Sequence, residues 1–115
     1  MRALWLAGAW GVLIAVVVLS VMPAPPSPDF ESSDKAGHVL AYAALMGSFA
    51  VVYTARRPPL AIAFIALGIA LEFVQGLLGY RSLEVTDMLA NTLGVLLGWT
   101  GAVFARKMMR RKVVR

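Results

Sequence analysis

Apolar residues run along this chain in four long blocks, and the few polar residues inside the blocks cluster toward one end of them. The blocks cover about residues 3–22, 36–54, 60–79 and 86–105. Each is about 20 residues long, and an α-helix of that length rises about 30 Å, the thickness of a bilayer's hydrocarbon core. The breaks between blocks carry helix-stopping chemistry. PAPPSP follows the first block and ARRPP the second, and proline cannot donate the backbone hydrogen bond that a helix interior needs. The pattern predicts an all-α membrane protein, a bundle of four transmembrane helices forming a single domain over 1–115. The first block follows Arg2, as a signal peptide would. Its apolar run is longer than the usual 7–15 residues, and Met22-Pro23 lacks a small-x-small cleavage pattern. It is therefore expected to remain as a helix.

The polar residues within these blocks are His38, Glu72, Gln75, Asp87 and Asn91, with Asp34, Lys35 and Arg81 just outside. A charged side chain inside a membrane costs several kcal/mol, so it marks a function or an internal pairing. Counting the helical rise inward from the block ends puts His38 about 3–5 Å, Asn91 about 6–8 Å and Glu72 about 10 Å below one surface. Asp34 and His38 are four residues apart, as are Asp87 and Asn91; Glu72 and Gln75 are three apart. Each pair thus shares a helix face. Small residues continue the same stripes, Gly68-x-x-x-Glu72-x-x-x-Gly76 and Asp87-x-x-x-Asn91-x-x-Gly94-x-x-x-Gly98. Small faces let membrane helices approach closely. The polar groups are expected to point into the bundle, forming one layer drawn from three helices. Thr86 or Asp87 is the expected N-cap of the last helix.

Charge gives the bundle a direction. The first connection has a balance of −2, the second +2 and the third −1, and six basic residues crowd the last ten positions. Basic residues favour the cytoplasmic side, which places both termini and the second connection inside and the polar layer in the outer leaflet. The net charge of +5 therefore reads as topology and contact with anionic lipid. The basic tail has no aromatic residue on which a base could stack, so nucleic acid is not an expected partner. The chain is 60% hydrophobic with no cysteine, which rules out disulfides, thiolate metal sites and cysteine nucleophiles. One histidine beside scattered carboxylates has no diagnostic ligand spacing, so no metal and no cofactor are expected. No G-x-S-x-G elbow or glycine-rich phosphate loop is present.

The segments DKAGHVLAYAALMG, LEFVQ and GYRSLEVTDMLANTLGVLLG together resemble the VanZ-like membrane protein family. The resemblance covers about residues 34–98 and rests on the ordered set Asp34-Lys35-x-x-His38, Glu72-x-x-Gln75, Arg81 and Asp87-x-x-x-Asn91-x-x-Gly94. Each piece is weak alone, and the combination is specific. Val39 stands where the family pattern has an aromatic residue beside the histidine. The resemblance implies a small helical protein of the bacterial cytoplasmic (inner) membrane. The family's namesake is associated with resistance to the glycopeptide teicoplanin.

Three functions fit the residues. In the first, Asp34, Lys35, His38, Glu72, Gln75, Arg81, Asp87 and Asn91 form an outward-facing pocket. That pocket would bind an amphiphile: a membrane lipid, a cell-wall precursor or a lipophilic glycopeptide. Arg81 and Lys35 would hold anionic groups. In the second, Glu72 and His38 act as acid and base on a lipid-linked substrate. In the third, the chain is a proton-coupled transport subunit, which with four helices would need to form a homo-oligomer. The inner halves of the last three blocks are almost wholly apolar, which disfavours a continuous polar path. The binding reading is preferred over the enzyme reading, and the residues leave the question of an activity open.

Overall fold

The computed structural model describes residues 2–22, 30–78 and 85–114, and for residues 30–35 and 110–114 it describes the backbone alone. Four α-helices account for most of these residues: α1 (Arg2–Val21), α2 (Phe30–Ala50), α3 (Arg57–Leu78) and α4 (Val85–Val114). A single 3-10 turn, Thr54–Arg56, joins α2 to α3.

The helix bounds differ from the hydropathy blocks by three residues or more in four places, one of them the end of α2, at Ala50 rather than residue 54. Helix α2 begins at Phe30 rather than Ala36. Its first turns carry Glu31, Asp34 and Lys35, which end an apolar run without ending a helix. Helix α3 begins at Arg57, with Pro58 and Pro59 in its first turn. Proline is tolerated there because those N–H groups have no intrahelical partner. Helix α4 runs on to Val114, because RKMMRRKVV contains no breaker and arginine, lysine and methionine are good helix formers. Its 30 residues rise about 45 Å, more than a bilayer core needs. The α4 boundary also corrects the expected cap. The helix starts at Val85, so Thr86 and Asp87 lie within its first turn, where Asp87 still complements the helix dipole.

Three helical stretches are long and apolar enough to cross a membrane: Arg2–Val21, Thr54–Leu78 and Val85–Met109. The apolar part of α2, Ala36–Ala50, is shorter. The distribution of polarity is the reverse of a water-soluble core. Leu40, Ile62 and Leu77 are 70%, 69% and 87% exposed, whereas Glu72, Gln75 and Asn91 are 1–2% exposed. A broad apolar exterior around a polar interior suits lipid as the solvent. Isolated hydroxyls obey the same constraint. Ser20, Thr92 and Thr100 each donate to the carbonyl four residues earlier, at 2.6–2.9 Å, so their O–H groups are satisfied within the helix.

Packing order follows from the contacts. Helices α2 and α4 run parallel in the closest pairing, where Gly94 meets Val39 and Tyr42, and Gly98 meets Ala43, Met46 and Gly47. Helix α1 runs antiparallel to α2, with Trp5 bonded to Ser48 and Trp10 set edge-on to Phe49 at 5.4 Å. Phe49 also meets Phe64 of α3 at 5.5 Å, so one ring joins three helices. Leu45, Met46 and Val95 are fully buried nearby.

The C-terminus of α2 illustrates how completely the backbone is satisfied. The last four carbonyls of a helix have no partner within it. Here Gly47 O accepts from Val51 N, Ser48 O from Trp5 Nε1 at 2.7 Å, Phe49 O from Tyr53 N at 2.9 Å and Ala50 O from Arg57 Nε at 2.9 Å. Two of these four caps are side chains from other helices.

Candidate functional site: a polar layer at one end of the bundle

Helix α2 supplies His38, α3 supplies Glu72 and Gln75, and α4 supplies Asp87 and Asn91. The side chains of Glu72, Gln75, Asp87 and Asn91 are all buried, and His38 is partly buried. These five are the polar residues that the sequence singles out within the spans, and the fold brings them to one end of the bundle.

The central contact joins α2 to α4. His38 Nδ1 lies 2.7 Å from Asn91 Oδ1. A carboxamide oxygen is an acceptor only, so in this pairing Nδ1 donates and Asn91 Oδ1 accepts. The contact depends on how closely the backbones approach. Gly94, one turn below Asn91, fits against α2 so tightly that a Cβ there would lie 2.5 Å from Val39 O and 2.9 Å from Tyr42 Cβ. On the other side, Gly68 of α3 leaves room for Asn91 itself. A Cβ at Gly68 would sit 3.0 Å from Asn91 Nδ2 and 3.1 Å from Asn91 Cβ. Asn91 is thus wedged between α2 and α3, with one end of its amide on the histidine and the other on a glycine.

Gln75 ties the layer to α1. Its Nε2 donates to Ser20 O at 2.7 Å. Ser20 lies in the last turn of α1, where carbonyls lack intrahelical donors, so Gln75 caps α1 from a neighbouring helix. Glu72, one turn below Gln75, lies within electrostatic reach of the Tyr42 phenol on α2. Tyr42 is 2% exposed and stands one turn from His38 on the same face. Sequence reasoning gives it no role. The available signal is its spacing, because a polar-tipped aromatic four residues from a buried histidine faces the same neighbours.

The remaining sequence-designated residues fall outside this geometry. Asp34 and Lys35 lie in the early turns of α2, but their side chains are outside the described residues, as is the whole of Arg81. Among the described residues, no three His, Cys, Asp or Glu side chains gather as a metal site would require.

Chemically, the layer offers a fixed histidine with one ring nitrogen committed to Asn91, a buried carboxyl group at Glu72 and a second at Asp87. It can hydrogen-bond a polar head group or hold a proton. No curated protein and no solved structure matches the chain. The model of the VanZ/LLP1 family matches residues 17–106, which takes in every residue of the layer and the α2–α4 glycine interface. This small helical membrane protein belongs to the VanZ/LLP1 family.

Proposed function

We propose that this protein crosses the bacterial cytoplasmic membrane four times with both termini inside, and that its outward polar layer binds the head group of an amphiphile. The amphiphile is a membrane lipid, a cell-wall precursor or a lipophilic glycopeptide, and the last would tie the protein to teicoplanin-type resistance. The observation that carries this reading is the buried constellation of His38, Glu72, Gln75, Asp87 and Asn91 at one end of the bundle. So many polar groups are costly in lipid and exceed what helix association needs, since one interhelical hydrogen bond contributes about 0.6–2 kcal/mol. His38 is the most exposed of the five, so a ligand entering from that end meets it first. Lipid chains would lie along the exposed apolar faces. Helix α2 supports the fourth span. Its 21 residues rise about 32 Å, enough when its charged first turns sit in the head-group region.

The test is native mass spectrometry of protein extracted in mild detergent, wild type beside Glu72→Ala. The expected result is a specific added mass on the wild type that is lost from the folded variant, and the mass identifies the ligand. The same adducts on both proteins, or none on either after exposure to vesicles of the native lipids, would overturn the binding reading.

A second reading gains support from one observation. The Asn91 contact fixes the His38 ring in the same layer as the buried Glu72, so the two could serve as base and acid on a lipid-linked substrate. Turnover preserved in Glu72→Gln would eliminate it.

A further inference from the structure

We propose a second site, at the opposite end of the bundle, where Arg2, Arg56 and Arg57 hold the phosphate of an anionic phospholipid. Three arginines meet at the turn between α2 and α3, two of them placed by side-chain contacts and Arg56 by its backbone. Arg2 lies over the Tyr53 ring, its Cζ 5.7 Å from the centroid. Arg56 is fixed to the same residue through its backbone, with Arg56 N donating to Tyr53 O at 3.1 Å. Arg57 turns back to donate from Nε to Ala50 O at 2.9 Å. That bond immobilises the guanidinium and leaves its Nη2 buried with no hydrogen-bond partner among the described residues. A buried donor on a cation is costly to leave unmet, and a guanidinium fork matches two oxygens of a phosphate.

Among its described residues the molecule has no carboxylate side chain near these arginines. Its six acidic residues are Asp29, Glu31, Asp34, Glu72, Glu84 and Asp87. The two whose side chains are described, Glu72 and Asp87, lie in the last third of α3 and the first turn of α4, at the other end of the bundle. Glu72 is nearest to Arg57 along α3 and is still about 22 Å away by helical rise. That distance exceeds the Debye length of about 8 Å at physiological salt. Arg106 and Lys107 are exposed on α4, which runs parallel to α2 toward this same end. The counter-charge proposed here is therefore a group from outside the chain. Trp5 and Tyr53 lie at this level, where amphipathic rings favour the interface of a membrane. A phosphate that meets Arg57 here belongs to a lipid head group, with acyl chains on the flanking apolar faces. The proposal is independent of the ligand assigned to the polar layer.

The test places full-length protein in vesicles of phosphatidylglycerol and phosphatidylcholine at equal fractions, extracts it mildly and counts retained lipids by native mass spectrometry. Wild type is expected to retain phosphatidylglycerol at least fivefold over phosphatidylcholine. Arg57→Gln should bring the ratio near one. Because Arg57 also caps α2, the double variant Arg2→Gln/Arg56→Gln runs in parallel. Both of its positions are exposed and leave that cap intact, and it should lower the ratio at least twofold with an unchanged helical circular dichroism spectrum. Equal retention of the two lipids by wild type, or an unaltered ratio in the folded double variant, overturns the site. Inorganic phosphate at millimolar concentration should leave the retained lipid in place; its displacement would assign the site to soluble phosphate and refute the lipid.

Discussion

Adding one methyl group at Gly98 should separate the two helices on which the polar layer depends. A Cβ there would press on Ala43 O and lie 2.9 Å from Gly47 N and 3.0 Å from Met46 Cβ. Two of those three atoms belong to the α2 backbone, which cannot rotate away as a side chain can. Ordinary contact distances are about 3.5–4.0 Å, so α2 and α4 must part by about 0.5–1 Å. Overpacking of this kind costs about 1–3 kcal/mol. The same displacement, carried two turns along the pair, lengthens the 2.7 Å His38–Asn91 contact toward the limit of a hydrogen bond, which adds up to about 1 kcal/mol. Gly101, three residues further along α4, has open space around it, with nothing within 4 Å of where an added Cβ would sit. Alanine gains the same intrinsic helix propensity at both glycines, so the difference between Gly98→Ala and Gly101→Ala isolates the steric term. It should be about 1–4 kcal/mol, with Gly98→Ala the less stable. Unfolding in mixed micelles by graded addition of dodecyl sulfate, followed by tryptophan fluorescence and circular dichroism, measures it. Two variants within about 0.5 kcal/mol of each other, the usual scatter for surface substitutions, would refute the claim that these glycines set the helix spacing.

Two further outcomes follow from the polar contacts. Asn91→Leu should destabilise the protein by about 1–3 kcal/mol, because it leaves a partly buried imidazole N–H without its acceptor. In a double-mutant cycle with His38→Phe, the pair should show a coupling of about 0.5–2 kcal/mol in the same unfolding assay, and additive effects would break the proposed link. Gln75→Leu should cost about 0.5–1.5 kcal/mol by uncapping α1. It should also speed amide hydrogen exchange in the last turn of α1 while leaving the α2–α4 interface protected; uniform protection in both places would show that Gln75 does not anchor α1.

The number of helices, and the helices that carry His38, Glu72, Gln75, Asp87 and Asn91, are legible from the sequence, because a bilayer imposes both length and apolarity on a span. The helix ends are less legible, for two physical reasons. Hydropathy stops where charge begins, yet Glu31, Asp34 and Lys35 sit comfortably in a helix, so α2 starts six residues before its apolar block. At its other end α2 stops at Ala50, and the groups that satisfy its last carbonyls include Trp5 and Arg57, which lie in other helices. Caps supplied by other helices leave no local pattern to read. Within the layer, spacing along each helix identifies shared faces but does not choose partners across helices. From spacing alone, His38 has several polar candidates. The glycines at 94 and 98 decide the matter by bringing α4 against α2, which puts Asn91 opposite the histidine.

Packing and polarity in this bundle are therefore one constraint. Between membrane helices lipid supplies no hydrophobic drive, so association rests on close van der Waals contact and on hydrogen bonds. Asn91 and Gln75 each reach a partner because a small residue or a helix end lies beside them. Asn91 fits because Gly68 lacks a Cβ, and it meets His38 because Gly94 lets the backbones touch. Gln75 finds the carbonyl of Ser20 because α1 ends at that depth. Removing a polar group would thus leave a gap of fixed shape, and filling a glycine would strand a polar group. The two kinds of lesion should converge on the same unfolded state by different routes. A ligand-binding assay separates site from framework: Glu72→Ala, in an otherwise intact bundle, should lose the bound amphiphile, and the sterically neutral control Gly101→Ala should retain it.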